Sequence, residues 1–145
     1  MTRTPRAARP LRLVVVDGDR RVRDSLAELL GLGDELEVVG RAADAGAAAD
    51  VCASAAPDVV VIDPRLPDAD AGRAVIEQLR ARFPSTTLLV LSWPGACDDQ
   101  AIDELVDGFV AKSDPPAELA RRIVELAGGA DGRRRQAVDR RAARC

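Results

Sequence analysis

Three uninterrupted apolar runs, Leu13 to Val16, Val59 to Ile62 and Leu88 to Leu91, constrain this chain more than any other feature. A strand with one face in water alternates apolar and polar residues, so a run that is apolar at both odd and even positions is a strand buried on both faces. Between such runs lie segments whose apolar residues recur at helical spacing: Val22, Leu26, Leu29 and Leu30 in the first, Leu119, Ile123 and Leu126 in the last. The pattern predicts strands at Leu11–Val16, Glu35–Gly40, Asp58–Asp63, Thr86–Ser92 and Gly108–Ala111. Helices are expected at Arg20–Leu32, Asp44–Ala55, Gly72–Phe83, around Asp98–Leu105 and at Pro115–Ala127. Five doubly buried strands alternating with five helices imply a doubly wound α/β fold: a parallel sheet covered on both sides and joined by right-handed crossovers. In such sheets the functional crevice lies beyond the carboxyl ends of the strands.

At 145 residues the chain is expected to form one domain, spanning 11–128, after a basic start at 1–10 and before a basic tail or linker at 129–145 that carries Arg133, Arg134 and Arg135. An apolar fraction of 47% excludes a disordered chain, and an aromatic fraction of 2% makes the core aliphatic. A net charge of -3 gives no general attraction to nucleic acid or to an anionic membrane. The apolar runs fall far short of the roughly 20 residues that cross a bilayer, and the basic start lacks the apolar segment of a secretion signal, so a cytoplasmic location is expected. Cys52, Cys97 and Cys145 are odd in number and widely spaced, which suits reduced thiols. The chain has no histidine, which excludes Ser-His-Asp and Cys-His catalysis, His-based metal sites and a phosphohistidine of its own.

Strand ends bring Asp17 and Asp19, Asp63, Ser92 and Lys112 to one edge of the sheet. Carboxylates, a hydroxyl and an ammonium gathered there suit phosphoryl transfer to a carboxylate, with Asp63 as nucleophile, a hard cation such as Mg²⁺ to offset charge, and Ser92 and Lys112 to bind phosphoryl oxygens. Taken singly, Asp and Ser at strand ends more often form turns and cap helices, and Phe109 reads equally as core or as a mobile ring.

With these residues goes a resemblance. Val14-Val15-Val16-Asp17, Val22-Arg23-Asp24-Ser25-Leu26, Leu36-Glu37-Val38-Val39-Gly40, Pro57-Asp58-Val59-Val60-Val61-Ile62-Asp63, Leu66-Pro67, Leu91-Ser92 and Gly108-Phe109-Val110-Ala111-Lys112 together resemble the receiver domain of bacterial response regulators, particularly the branch joined to a LuxR-type helix-turn-helix. The resemblance implies a CheY-like sheet of order 2-1-3-4-5 and a two-component switch that is not an enzyme in the ordinary sense. It implies that Asp63 is the phospho-acceptor, that Asp17, Asp63 and the backbone carbonyl of Arg65 hold Mg²⁺, and that Ser92 and Phe109 move on activation. It further implies a sensor histidine kinase as partner, an output domain or protein downstream, transcriptional control, and a homodimer through the face of helix 4, strand 5 and helix 5. No helix-turn-helix pattern follows Ala127, so the core domain is not expected to bind nucleic acid itself.

Three positions depart from the family. Gly18 stands where the second of two adjacent acids is usual, leaving Asp19 as the candidate replacement and a weaker Mg²⁺ site as the expectation. Trp93 follows Ser92 where a small residue is usual, and either crowds the pocket or lies outward. Ala71 stands where glycine is frequent. These departures keep a second reading open, an atypical receiver that dimerises or binds a ligand or protein without phosphorylation. A nucleotide enzyme is a distant third, because Gly31-Leu32-Gly33 closes a helix instead of opening one after a strand.

Overall fold

A computed structural model describes residues 9–93 and 100–128. The expected basic start, Cys97, Cys145 and the arginine-rich tail lie outside the described residues, apart from Arg9 and Pro10. The elements are β1 (Leu11–Val16), α1 (Arg20–Leu30), β2 (Leu36–Ala42), α2 (Ala45–Ala55), β3 (Val59–Ile62), α3 (Ala69–Arg82), β4 (Thr87–Ser92), α4 (Gln100–Asp103), β5 (Gly108–Ala111) and α5 (Pro116–Gly128). All five strands pair in parallel in the order β2-β1-β3-β4-β5, as the doubly wound reading requires. Each expected helix has its counterpart, although the fourth is a single turn within the described residues.

Both faces of the central strands are sealed. Val14, Val16, Val60, Ile62, Leu88 and Val90 pack with Cys52, Val75, Ile76 and Leu79 from α2 and α3. Their neighbours Leu13, Val15, Val59, Val61, Leu89 and Leu91 pack with Ala27 and Leu30 of α1 and Leu119 and Ile123 of α5. Strand order reverses between β1 and β3, so the edge beyond Val16 and Ile62 is the switch point of the sheet.

Two glycines read as punctuation turn out to be contact points. A Cβ on Gly40 would stand 2.3 Å from Val51 Cγ1, so this residue lets α2 close on β2, and the strand continues through it to Ala42. A Cβ on Gly72 would stand 1.6 Å from the carbonyl oxygen of Pro64, so α3 lies directly against the loop that follows β3. Gly72 therefore sits inside α3 and does not start it. The helix begins at Ala69, where the Asp68 carboxylate accepts the Ala71 N–H at 2.9 Å. Gly72 is thus the glycine that this contact requires, and Ala71 is a first-turn helical residue whose N–H meets the cap.

Candidate functional site

The aspartates at the switch-point edge divide by what their carboxylates do. Asp19, Asp44 and Asp68 are the N-caps of α1, α2 and α3. Asp19 Oδ1 accepts the N–H groups of Arg21 at 2.9 Å and Val22 at 3.2 Å, so its side chain is engaged with the helix end. Asp17 and Asp63 do otherwise. Asp17 extends β1, its N–H bonded to the Ala42 carbonyl at 3.0 Å, and Asp63 extends β3, its N–H bonded to the Val16 carbonyl at 2.9 Å. Adjacent parallel strands thereby set their carboxylates side by side.

Lys112 joins them. Its N–H bonds to the Ser92 carbonyl at 2.8 Å, which continues the β4 and β5 pairing by one residue. Its ammonium donates to Asp17 Oδ2 at 2.8 Å and to Asp63 Oδ2. The side chains of Asp17 and Lys112 are 2% and 5% exposed, whereas that of Asp63 is 17% exposed, so Asp63 is the member of the trio that solvent reaches. Burial alone would lower the Lys112 pKa, but the hydrogen bonds and charges of Asp17 and Asp63 outweigh it and hold the ammonium above the ordinary lysine value. Backbone donors fix the remaining carboxylate oxygens: Asp19 N–H to Asp17 Oδ1 at 2.9 Å, and Arg65 N–H to Asp63 Oδ1 at 2.8 Å. Arg23 adds a guanidinium at 3.0 Å from the Asp17 carbonyl oxygen, a contact that sequence reading missed.

The other expected residues border this trio. Ser92 is half-buried at the end of β4, paired with Ala111. Phe109 is half-buried on β5, opposite Val90, and packs against the core formed with α2 and α3. Trp93 is 58% exposed, with its ring centroid 6.0 Å from the Lys112 ammonium. Because Asp63 keeps its own exposure beside it, the indole flanks the pocket without closing it.

Asp17 Oδ2 and Asp63 Oδ2 converge on a single cation position, the one the Lys112 ammonium takes. Among the described residues no group of three or more His, Cys, Asp or Glu side chains could hold a metal. Mg²⁺ commonly uses only one or two carboxylates, completed by water and phosphate oxygens, so Asp17 and Asp63 are the side chains that could hold one, at a position other than the one the Lys112 ammonium takes. Gly18 offers no ligand, yet a Cβ there would meet nothing nearer than Leu66 Cδ2 at 3.6 Å.

Comparison with known proteins agrees with this geometry. The response regulator receiver domain family matches residues 13–124. The chain belongs to that family. It is 34% identical over 136 residues to the DNA-binding transcriptional activator DevR/DosR of Mycobacterium tuberculosis, a match covering 92% of this chain and 59% of that protein. It is 34% identical over 119 residues to protein-glutamate methylesterase/protein-glutamine glutaminase 5 of Anaeromyxobacter dehalogenans, covering 82% of this chain and 33% of that protein. The chain thus spans less than two thirds of the length of either. Among solved structures, the signal receiver domain of NarL from Mycobacterium tuberculosis superposes with a TM-score of 0.68 at 28% identity, covering 83% of this chain and 98% of that one. The receiver domain of two-component response regulators is therefore what these residues form, and receiver domains generally bind Mg²⁺ and interact with histidine kinases. Among the described residues no helix is long and apolar enough to cross a membrane.

Proposed function

We propose that this receiver accepts a phosphoryl group on Asp63 and, once modified, presents an altered surface to a partner, acting as a cytoplasmic switch in transcriptional control and not as an enzyme on a separate substrate. The observation that carries the reading is the Asp17–Lys112–Asp63 cluster, two carboxylates on one ammonium, of which only Asp63 keeps appreciable exposure. Asp63 attacks the phosphorus of a donor, a bond from its carboxylate oxygen to phosphorus forms, and the donor's bond to phosphorus breaks with its electron pair leaving on the donor. The Arg65 N–H and the Lys112 ammonium hold the Asp63 carboxylate in one rotamer for that attack. Afterwards the negative charge lies on phosphoryl oxygens, which Lys112 and the Ser92 hydroxyl would bind. Asp17, Asp63 and the Arg65 carbonyl would hold Mg²⁺, which would offset the charge of the incoming phosphoryl group. Asp19, held by the α1 backbone, joins that set only if its cap opens.

Movement of Ser92 toward the phosphoryl group would open space beside β4 for the half-buried Phe109 ring to enter. That motion would reshape the face made by α4, β5 and α5, the surface we assign to a second copy of the chain or to an output domain. A sensor histidine kinase is the upstream partner that would supply the phosphoryl group.

Treatment of the purified chain with acetyl phosphate, with and without Mg²⁺, tests the reading by intact mass. The expected result is one phosphoryl adduct that depends on Mg²⁺ and is absent from Asp63→Asn. A folded chain that gains no mass at any Mg²⁺ concentration would instead support the phosphorylation-independent receiver, for which the missing acid at Gly18 is the favouring observation.

A further inference from the structure

Three large apolar side chains are exposed among the described residues: Leu29, Leu32 and Trp93. Leu29 and Leu32 lie at the far end of α1, whereas Trp93 directly follows β4 at the edge that carries Asp63. The indole is 58% exposed, so packing of the core does not account for its place. One neighbour is the Lys112 ammonium, 6.0 Å from the ring centroid, which itself is bonded to Asp63. A largely exposed aromatic ring thus stands next to the ammonium that holds Asp63, the more accessible of the two carboxylates. These 145 residues hold no histidine, so any phosphorylated imidazole that reaches this surface comes from outside them.

We propose that Trp93 is a donor-specificity residue, its exposed indole giving the planar ring of an N-phosphorylated imidazole a surface to stack on while the phosphorus faces Asp63. The inference rests on Asp63 being the acceptor. In the transfer, an Asp63 carboxylate oxygen bonds to phosphorus, the P–N bond breaks, its electron pair stays on the imidazole nitrogen, and that nitrogen ends protonated by water. An aromatic leaving group gains from stacking on Trp93, whereas ammonia leaving from phosphoramidate gains nothing.

The test compares initial rates of mass gain with phosphoimidazole and with phosphoramidate for the unmodified chain, Trp93→Phe and Trp93→Ala. The ratio of the two rates should fall about fivefold in Trp93→Ala and recover in part in Trp93→Phe. An unchanged ratio, or one that rises in Trp93→Ala, overturns the proposal, the latter by making the ring an obstacle. A second measurement separates stacking from transfer. Trp93 is the only tryptophan and the chain has no tyrosine, so its fluorescence reports this site alone. In Asp63→Asn, phosphoimidazole should perturb that emission at lower concentration than phosphoramidate, and an equal response overturns the stacking. A difference in fluorescence without any mass gain in the unmodified chain would uphold the stacking but overturn the acceptor reading, and with it the role of Trp93 in donor choice.

Discussion

The two ends of the sheet each carry a buried ion-pair network, built on different arithmetic. At the end opposite the site, Arg80 meets Asp107 at 2.7 Å, and among the described residues this is one cation to one anion, with side chains 20% and 5% exposed. Backbone groups complete the pair: the guanidinium also donates to the carbonyls of Leu105, Pro84 and Thr86, and Asp107 Oδ2 also accepts the Leu88 N–H at 2.9 Å. At the switch-point end, Lys112 faces two carboxylates, so the cluster retains a net negative charge, and one carboxylate stays open to solvent. Burial and hydrogen bonding are alike in the two networks. What separates a clamp from a site here is excess charge together with an exposed member.

The clamp should be the costlier to break. Arg80→Met leaves a buried Asp107 charge without its guanidinium and should destabilise the domain by about 3 kcal/mol, read as a lower urea midpoint. The same variant should accept a phosphoryl group normally under conditions where it is folded. Loss of the adduct in folded Arg80→Met would erase the distinction between the two ends.

Gly72→Ala comes next, because its Cβ would collide with the Pro64 carbonyl on the loop beside Asp63. The expected cost is about 2 kcal/mol, accompanied by slower phosphorylation as α3 pushes that loop aside. Ala71→Gly, by contrast, should leave phosphorylation unchanged, and the pair of variants identifies which position lies against the loop.

Replacing the cation of the site sharpens the comparison through pH. The Lys112 pKa is raised in the folded chain. Its contribution to stability is therefore complete below the ordinary lysine value and lost as pH rises through the elevated folded one, where the folded state holds a proton that the unfolded state has released. Urea midpoints should accordingly decline with pH above about 10.4 in the unmodified chain, and less in Lys112→Met. Equal declines in both would mean that the two carboxylates do not hold this ammonium.

The smallest effect is expected from Gly18→Asp. Space for a side chain exists, since the nearest atoms to a Cβ there are 3.6 and 3.8 Å away. The added carboxylate should tighten Mg²⁺ binding on the order of tenfold, measured by titration calorimetry, while changing the fold little. No gain in affinity would show that Asp17 and Asp63 do not form the cation site.

How legible these features were depended on whether the signal was local. The uninterrupted runs at Val59 and Leu88 announce buried strands, because nothing polar could occupy either face, and strand ends then pointed to Asp17, Asp63 and Lys112. Their chemistry suggested an acceptor with groups to bind phosphoryl oxygens, and the resemblance added the metal pocket and the switch roles. Glycines misled: Gly40 read as a strand end and Gly72 as a helix start, although each is an interior residue kept small by a neighbour outside its own element. Asp19 illustrates a tie that sequence cannot break, since a ligand and an N-cap call for the same residue. The Arg80–Asp107 clamp was invisible, because its partners stand 27 residues apart with no pattern linking them. Trp93 was read with two outcomes, crowding or outward, and the geometry favours the outward one.

The central claim is that the exposed carboxylate of the negatively charged cluster is the acceptor, and it is tested most directly by locating the phosphoryl group. After reaction with acetyl phosphate and Mg²⁺, borohydride reduces an aspartyl phosphate to homoserine, which tandem mass spectrometry assigns to a residue. The account predicts homoserine at position 63 alone. Conversion at Asp17, at another aspartate, or nowhere in a folded chain would contradict it.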